Sequence, residues 1–193
     1  MIETTGADRR FPRALADVAR VEFDYDEGEG VDFEPYDAFD SVEETTDWLR
    51  HWTGNHELDG DAYRVFGQDG TGGLAALWCV RPGRPLAEQP VVFLGSEGER
   101  GVVAANLSDF LWVLADGLGP MEVVEYGRPY EARPNAALAE LAERHATTAR
   151  AGPPGRSSLT HRPSSPPSPR IWTSSAADAA GQMPAASRYC AIP

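Results

Sequence analysis

The chain has 193 residues, of which 41% are hydrophobic, enough for one globular domain with a core of its own. Acidic residues outnumber basic ones by 30 to 17, every basic residue is arginine, and the net charge is −13, which disfavours a general nucleic-acid binder. No apolar run approaches the roughly 18 residues that a membrane span needs, and residues 1–13 lack the apolar stretch of a signal peptide. We therefore expect a cytoplasmic protein.

The charge is unevenly distributed along the chain. Residues 1–149 carry 29 acids against 12 arginines, a net of −17, whereas residues 150–193 carry one acid and five arginines, a net of +4. We predict a flexible N-terminus over 1–13, a folded domain over 14–148, and a disordered Pro/Ser/Ala-rich tail over 149–193. Two explanations of the tail stay open: a genuine extension, or the product of a frameshift in a GC-rich gene, which the absence of lysine suggests.

Residues 14–40 begin with apolar side chains at helical spacing and then become acidic and Gly-punctuated. This second part is typical of a surface loop, with Phe33, Tyr36 and Phe39 as aromatic anchors. Its acids are Asp24, Asp26, Glu27, Glu29, Asp32, Glu34 and Asp37.

A helix is predicted to begin at Ser41. Ser41 and Glu44 have the spacing of a capping box, in which each side chain accepts a hydrogen bond from the other's backbone N–H. Apolar residues, Trp48 and Trp52 among them, follow at intervals of three and four, and Gly54 is a natural end.

From residue 63 the apolar residues form short runs rich in Val, Phe and Leu, separated by Gly and Pro clusters. We predict strands over 63–66, 74–80, 90–94 and 102–105. The Gly-rich segment 69–73 is expected to join the first two strands, and an antiparallel hairpin the last two.

Two further helices follow. Asn106 and Ser108 are alternative N-caps of the first, which is expected to end at Gly117, and the second is predicted over 135–145. Residues 121–126 are ambiguous. The order of elements predicts an α+β fold with a central, mostly antiparallel sheet flanked by helices.

The sequence presents no convincing catalytic, cofactor or metal site. The segment 70–73 lacks the lysine of a phosphate-binding loop, and Ser96 lacks the spacing of a nucleophile elbow. His51 and His56 fit no recognised metal-ligand spacing. Cys79 and Cys190 suggest neither a disulfide framework nor a thiolate site.

Surface acids and tryptophans remain as candidate binding residues. The acids of the 24–37 stretch, with Glu97 and Glu99, are most simply a solvated surface, and alternatively a patch for a basic partner. Four of the five tryptophans lie in the predicted domain, more than a small core easily encloses, so Trp52 and Trp112 are candidate anchors for a partner.

Three segments together resemble the SUKH superfamily, which includes fungal Smi/Knr cell-wall regulators and many bacterial immunity proteins. They are the turn and strand within 63–78, the hairpin 89–99 containing Gly95-Ser96-Glu97-Gly98, and the helix of 106–115. The resemblance spans residues 35–145 and implies an α+β fold without catalytic motifs. It also implies that the chain should continue its last helices where it turns to Pro and Ser.

The expected function is therefore that of a non-enzymatic binding protein. In bacteria the resemblance implies an immunity protein that neutralises a toxin by direct binding, and the acidic charge indicates a basic surface on that toxin domain. A regulatory or scaffold protein of the same superfamily without a toxin partner is the alternative, and an uncharacterised enzyme is a third.

Overall fold

A computed structural model of the chain describes residues 8–23, 31–124 and 133–150. Its α-helices are α1 (Arg13–Val18), α2 (Val42–Thr53), α3 (Leu107–Ala115), α4 (Pro120–Val124) and α5 (Ala136–His145). Its strands are β1 (Glu34–Pro35), β2 (Tyr63–Gln68), β3 (Leu74–Trp78), β4 (Val91–Leu94) and β5 (Arg100–Ala104), and a 3-10 turn spans Leu86–Glu88. Of the predicted disordered tail (149–193), residues 151–193 lie outside the described residues.

The strands form one antiparallel sheet in the order β1-β2-β3-β4-β5, so each strand pairs with its neighbour in the chain. Residues 69–73 join β2 to β3, and β4 and β5 form a hairpin in which Val92 lies opposite Val102. The predicted α+β class and both connections are confirmed.

The prediction of a loop throughout the acidic stretch is wrong at β1. Glu34 and Pro35 pair with Gln68 and Gly67 at the edge of the sheet. The cause is tertiary packing: the buried Phe33 ring lies so close to Gly67 that a Cβ there would be 2.6 Å from it. A sequence pattern dominated by charge does not reveal this contact.

The main core lies on one face of the sheet, where α3 and α4 contact the strands and α5 packs between α3 and α1. At its centre Phe33, Phe66 and Phe110 pack edge to face, with ring centroids 5.4 to 6.3 Å apart. Leu15, Leu114 and Leu138 extend this core into α1, α3 and α5, and each is at most 2% exposed.

The opposite face of the sheet carries a smaller core that includes Val65, Trp78 and Val92. Trp48 of α2 packs against it and stacks on Trp52, with ring centroids 5.2 Å apart. Both α2 tryptophans are half-buried, whereas Trp78 is buried.

The ends of the helices follow the predicted caps. Ser41 Oγ accepts from the Glu44 backbone N–H at 3.1 Å and Glu44 Oε2 accepts from the Ser41 N–H at 2.9 Å, so the capping box of α2 is confirmed. Asn106, rather than Ser108, caps α3 by accepting from the Asp109 N–H at 2.9 Å. The helix predicted over 135–145 is confirmed as α5, and the ambiguous stretch begins within α4.

Candidate functional site

Two turns of the sheet come together at one end, which we call the turn end (residues 69–73 and 95–99). They lie side by side because the strands alternate in direction, and Ser96 Oγ donates to Thr71 Oγ1 at 3.0 Å. Asp69 builds the first turn: its Oδ1 accepts from the backbone N–H groups of Thr71 and Gly73 at 2.9 and 2.8 Å. Both turns are therefore fixed relative to the sheet.

Four of the predicted acids lie at or beside the turn end. Asp32 accepts from the Gly70 backbone N–H at 2.8 Å, and Glu34, opposite Gln68 at the end of β2, accepts from its Nε2 at 2.9 Å. Glu97 and Glu99 belong to the second turn, where Glu97 is exposed and Glu99 is half-buried. Acids that are far apart in the sequence thus lie on one end of the molecule.

The remaining predicted acids do not join this group in the described structure. Asp37 is exposed and lies farther along the sheet edge, between Tyr36 and Asp40, whose backbone N–H groups donate to Phe66 O and Val65 O. Four others lie outside the described residues: Asp24, Asp26, Glu27 and Glu29.

A half-buried carboxyl, that of Glu122, lies near Asp32 of the turn end. Burial raises the pKa of Glu122 above its ordinary value of 4.5, and the neighbouring Asp32 carboxylate contributes to the rise. Backbone N–H groups, including those of Asp32 and Gly119, donate to Glu122 and oppose it. Among the described residues, the buried Oε2 of Glu122 has no hydrogen-bond partner. Sequence analysis did not identify this residue.

The two predicted aromatic anchors lie on opposite faces of the sheet. Trp52 belongs to α2 and stacks on Trp48. Trp112 belongs to α3, where its indole N–H donates to Thr148 O at 2.9 Å and Arg150 lies over its ring, 5.9 Å from the centroid. The structure therefore does not bring them into one patch.

Sequence reasoning missed two sets of polar contacts, one made by His145 and one by Arg64. His145 of α5 and Asp17 of α1 are 2.8 Å apart, and this hydrogen bond, together with the imidazole charge, lowers the pKa of Asp17. Arg64 in β2 is fully buried and donates to Asp61 O at 2.6 Å and to Asp8 O at 3.2 Å. Neither set has a local sequence signal. His145 and Asp17 lie 128 residues apart, and the acceptors of Arg64 are backbone carbonyls, one of them 56 residues away.

The histidines and the cysteine considered as metal ligands or reactive groups do not form a site in the described structure. His51 and His56 are exposed, and within residues 8–23, 31–124 and 133–150 no group of three or more His, Cys, Asp or Glu side chains could hold a metal ion. Burial raises the pKa of the half-buried Cys79 thiol. Over the same ranges no helix is long and apolar enough to cross a membrane.

Comparison of the chain with family models, with curated proteins and with solved structures finds no match. The geometry described above is therefore the evidence on which a function is argued.

Proposed function

We propose that this chain is a non-enzymatic, cytoplasmic binding protein of SUKH type, an immunity protein that neutralises a bacterial toxin domain by covering its surface. The observation that supports the proposal most is the gathering of Asp32, Glu34, Glu97 and Glu99 at the turn end. Their scaffold is an antiparallel sheet with flanking helices, and the resemblance implies a central sheet flanked by helices.

The turn end suits a protein partner with a basic surface. Its two turns are tied to each other and to the sheet, so the acids are presented with little loss of backbone freedom on binding. Exposed acids of one sign raise the rate of encounter with a basic surface and select against acidic ones. The affinity itself then depends on the contacts that form after encounter.

The structure also bears on the aromatic anchors. Because Trp52 and Trp112 lie on opposite faces, one compact partner surface contacts at most one of them together with the turn end. Trp112 already contacts Thr148 and Arg150. Binding of a partner to the Trp112 ring therefore requires residues 147–150 to move.

The decisive experiment is co-expression of the full chain with the toxin domain encoded next to its gene. We expect survival of the cells and recovery of a complex at low salt. Unchanged killing together with no complex would refute the immunity function. A gene without a neighbouring toxin gene would favour the alternative, a regulatory or scaffold protein of the same superfamily.

The binding surface is tested with matched charge changes. The double variant Glu97→Gln, Glu99→Gln removes two acids from the turn end, and Glu140→Gln, Glu143→Gln removes two exposed acids from α5. At low salt the first is expected to slow association with the toxin domain by about tenfold and the second much less, with the difference shrinking at high salt. Equal slowing by both would show that net charge matters and the turn end does not.

A further inference from the structure

A cleft of about 570 Å³ lies at the end of the sheet opposite to the turn end. Its walls come from the start of α1, the segment 81–88, the first turns of α3 and residues 147–148. These segments meet there because β4 begins, and β5 ends, at that end of the sheet. The cleft is thus separate from the surface used in the proposed function.

One wall of the cleft carries a held guanidinium group. Arg81 donates through Nη1 to Ala105 O at 3.0 Å and also to Glu88 O. The buried Gln89 fixes the backbone of Arg81 by accepting from its N–H at 2.9 Å and donating to its carbonyl at 2.8 Å. Although Arg81 is exposed, two backbone carbonyl groups therefore hold its guanidinium in place.

The charges that line the cleft are mainly positive. Arg13 is a second, exposed arginine of the lining. The one acidic lining residue, Glu88, is 3.1 Å from the guanidinium of Arg84, which does not line the cleft. His145 faces the cleft from α5 and pairs with Asp17. The lining thus carries two arginines and one acid, whereas the first 149 residues carry more than twice as many acids as arginines.

Apart from the amide of Asn106, the rest of the lining is apolar or carries hydroxyl groups. The apolar side chains come from both sides of the cleft, and the hydroxyls come from α3 and from the residues that follow α5. The apolar members include Ala14, Pro85, Ala87 and Leu111, and the hydroxyls are those of Ser108, Thr147 and Thr148.

We propose that this cleft binds a small amphipathic carboxylate, with its carboxylate on Arg81 and Arg13 and its apolar body between Ala14, Pro85 and Ala87. The volume lies within the range of about 300–1,000 Å³ that is usual for small-molecule sites. Arginine is the side chain best suited to a carboxylate, because its planar N–H groups can bond both oxygens.

The probe is octanoate, added to the full chain while the tryptophan indole resonances are followed by NMR. The indole N–H of Trp112 donates to Thr148 O, so it reports on a residue that lines the cleft. We expect one saturable shift of the Trp112 resonance, with the Trp48 and Trp52 resonances unmoved. Neutral 1-octanol should bind at least about tenfold more weakly, since it lacks the group that pairs with arginine.

Three variants locate the site. Arg81→Gln is expected to weaken octanoate binding by about tenfold. Ala87 is exposed and lines the cleft, so the larger side chain of Ala87→Phe should fill the cleft and abolish binding. Arg144→Gln makes the same charge change at an exposed residue of α5 outside the lining, and should leave binding unchanged. If Arg81→Gln does not fold, the octanol comparison and Ala87→Phe still decide the matter.

Several results would overturn the proposal. They are no Trp112 shift at millimolar octanoate, a shift of Trp48 and Trp52 in its place, equal binding of octanol, or equal weakening by Arg144→Gln. None of them bears on the toxin experiment, because that experiment concerns the turn end.

Discussion

The indole N–H of Trp112 donates to the backbone oxygen of Thr148 at 2.9 Å. This hydrogen bond lies between two others that residues 147–150 make along α3. Thr147 bonds Ser108 one turn before Trp112, and Arg150 bonds Asp116 one turn after it. Residues 147–150, which we call the strap, thus run along α3 in the same direction as the helix. The contacts continue two residues beyond the predicted domain boundary at 148.

We expect Trp112→Phe to lower the free energy of unfolding by about 1 kcal/mol beyond what the smaller ring costs, because Thr148 O loses its donor. Trp52→Phe is the matched control, since that indole contacts its neighbour Trp48 through its face. Urea denaturation of both variants measures the difference. Equal losses would mean that the strap hydrogen bond does not stabilise the domain.

Ser41→Ala is expected to cost about 1 kcal/mol, because the Glu44 N–H at the start of α2 loses its acceptor. Ser41→Gly leaves the same bond unmade but suits the cap backbone better, and should cost only roughly a few tenths of a kcal/mol. Thermal or urea unfolding of the two variants tests this order. An unchanged stability of Ser41→Ala would show that the cap contributes nothing.

The helices and hairpins could be predicted because their signals are local. The capping box of α2 spans four residues, and the turn 69–73 is specified by Asp69 and its glycines. The short edge strand β1 could not, because its position depends on a Phe33 ring that packs on Gly67, 34 residues away in the chain.

The candidate site was predictable only as a set of residue types. The acids were visible in the sequence, but the convergence of Asp32 with the hairpin acids depends on the Gly70 N–H, 38 residues away. The hydrogen bond between Trp112 and Thr148 is also long-range. A tryptophan that the sequence pattern indicated as a partner contact therefore forms contacts within its own chain.

The contact between His145 and Asp17 predicts acid sensitivity. The hydrogen bond from His145, with the charges of His145, Arg20 and Arg13, lowers the pKa of Asp17 below its ordinary value of 3.8. A lowered carboxyl pKa stabilises the fold above the unfolded value, and this stabilisation is lost as the pH falls through the folded value. Asp17→Asn should therefore lose less stability than the original chain when the pH is lowered through this window, as followed by urea unfolding at each pH. Parallel curves for the two proteins would contradict the prediction.

Glu122 should act with the opposite sign. Burial raises its folded pKa above 4.5, so its contribution to stability is present below 4.5 and is lost as the pH rises through the folded value. We expect Glu122→Gln, which carries no charge, to flatten this part of the pH profile of unfolding. Glu140→Gln, at an exposed position on α5, is the control and should leave the profile unchanged.

The fully buried Arg64 donates hydrogen bonds to three backbone carbonyl groups. Its Nη1 donates to Asp61 O and Tyr63 O at 2.6 and 2.8 Å, and its Nε donates to Asp8 O at 3.2 Å. A lysine keeps the charge but offers a single ammonium group on a flexible stem, which cannot reproduce donors that point in these directions. We therefore expect Arg64→Lys to lower the free energy of unfolding by about 2 kcal/mol, since partly buried carbonyl oxygens lose their donors.

The half-buried Arg50 on α2 provides the control for this prediction, because its Nε donates to one carbonyl, Leu58 O, at 2.8 Å. Arg50→Lys should cost clearly less than Arg64→Lys in the same urea titration. If Arg64→Lys proved as mild as Arg50→Lys, charge alone would account for the arginine. Since one of its acceptors is Asp8, Arg64→Lys is also expected to increase proteolytic cleavage near residue 8, and Arg50→Lys is not.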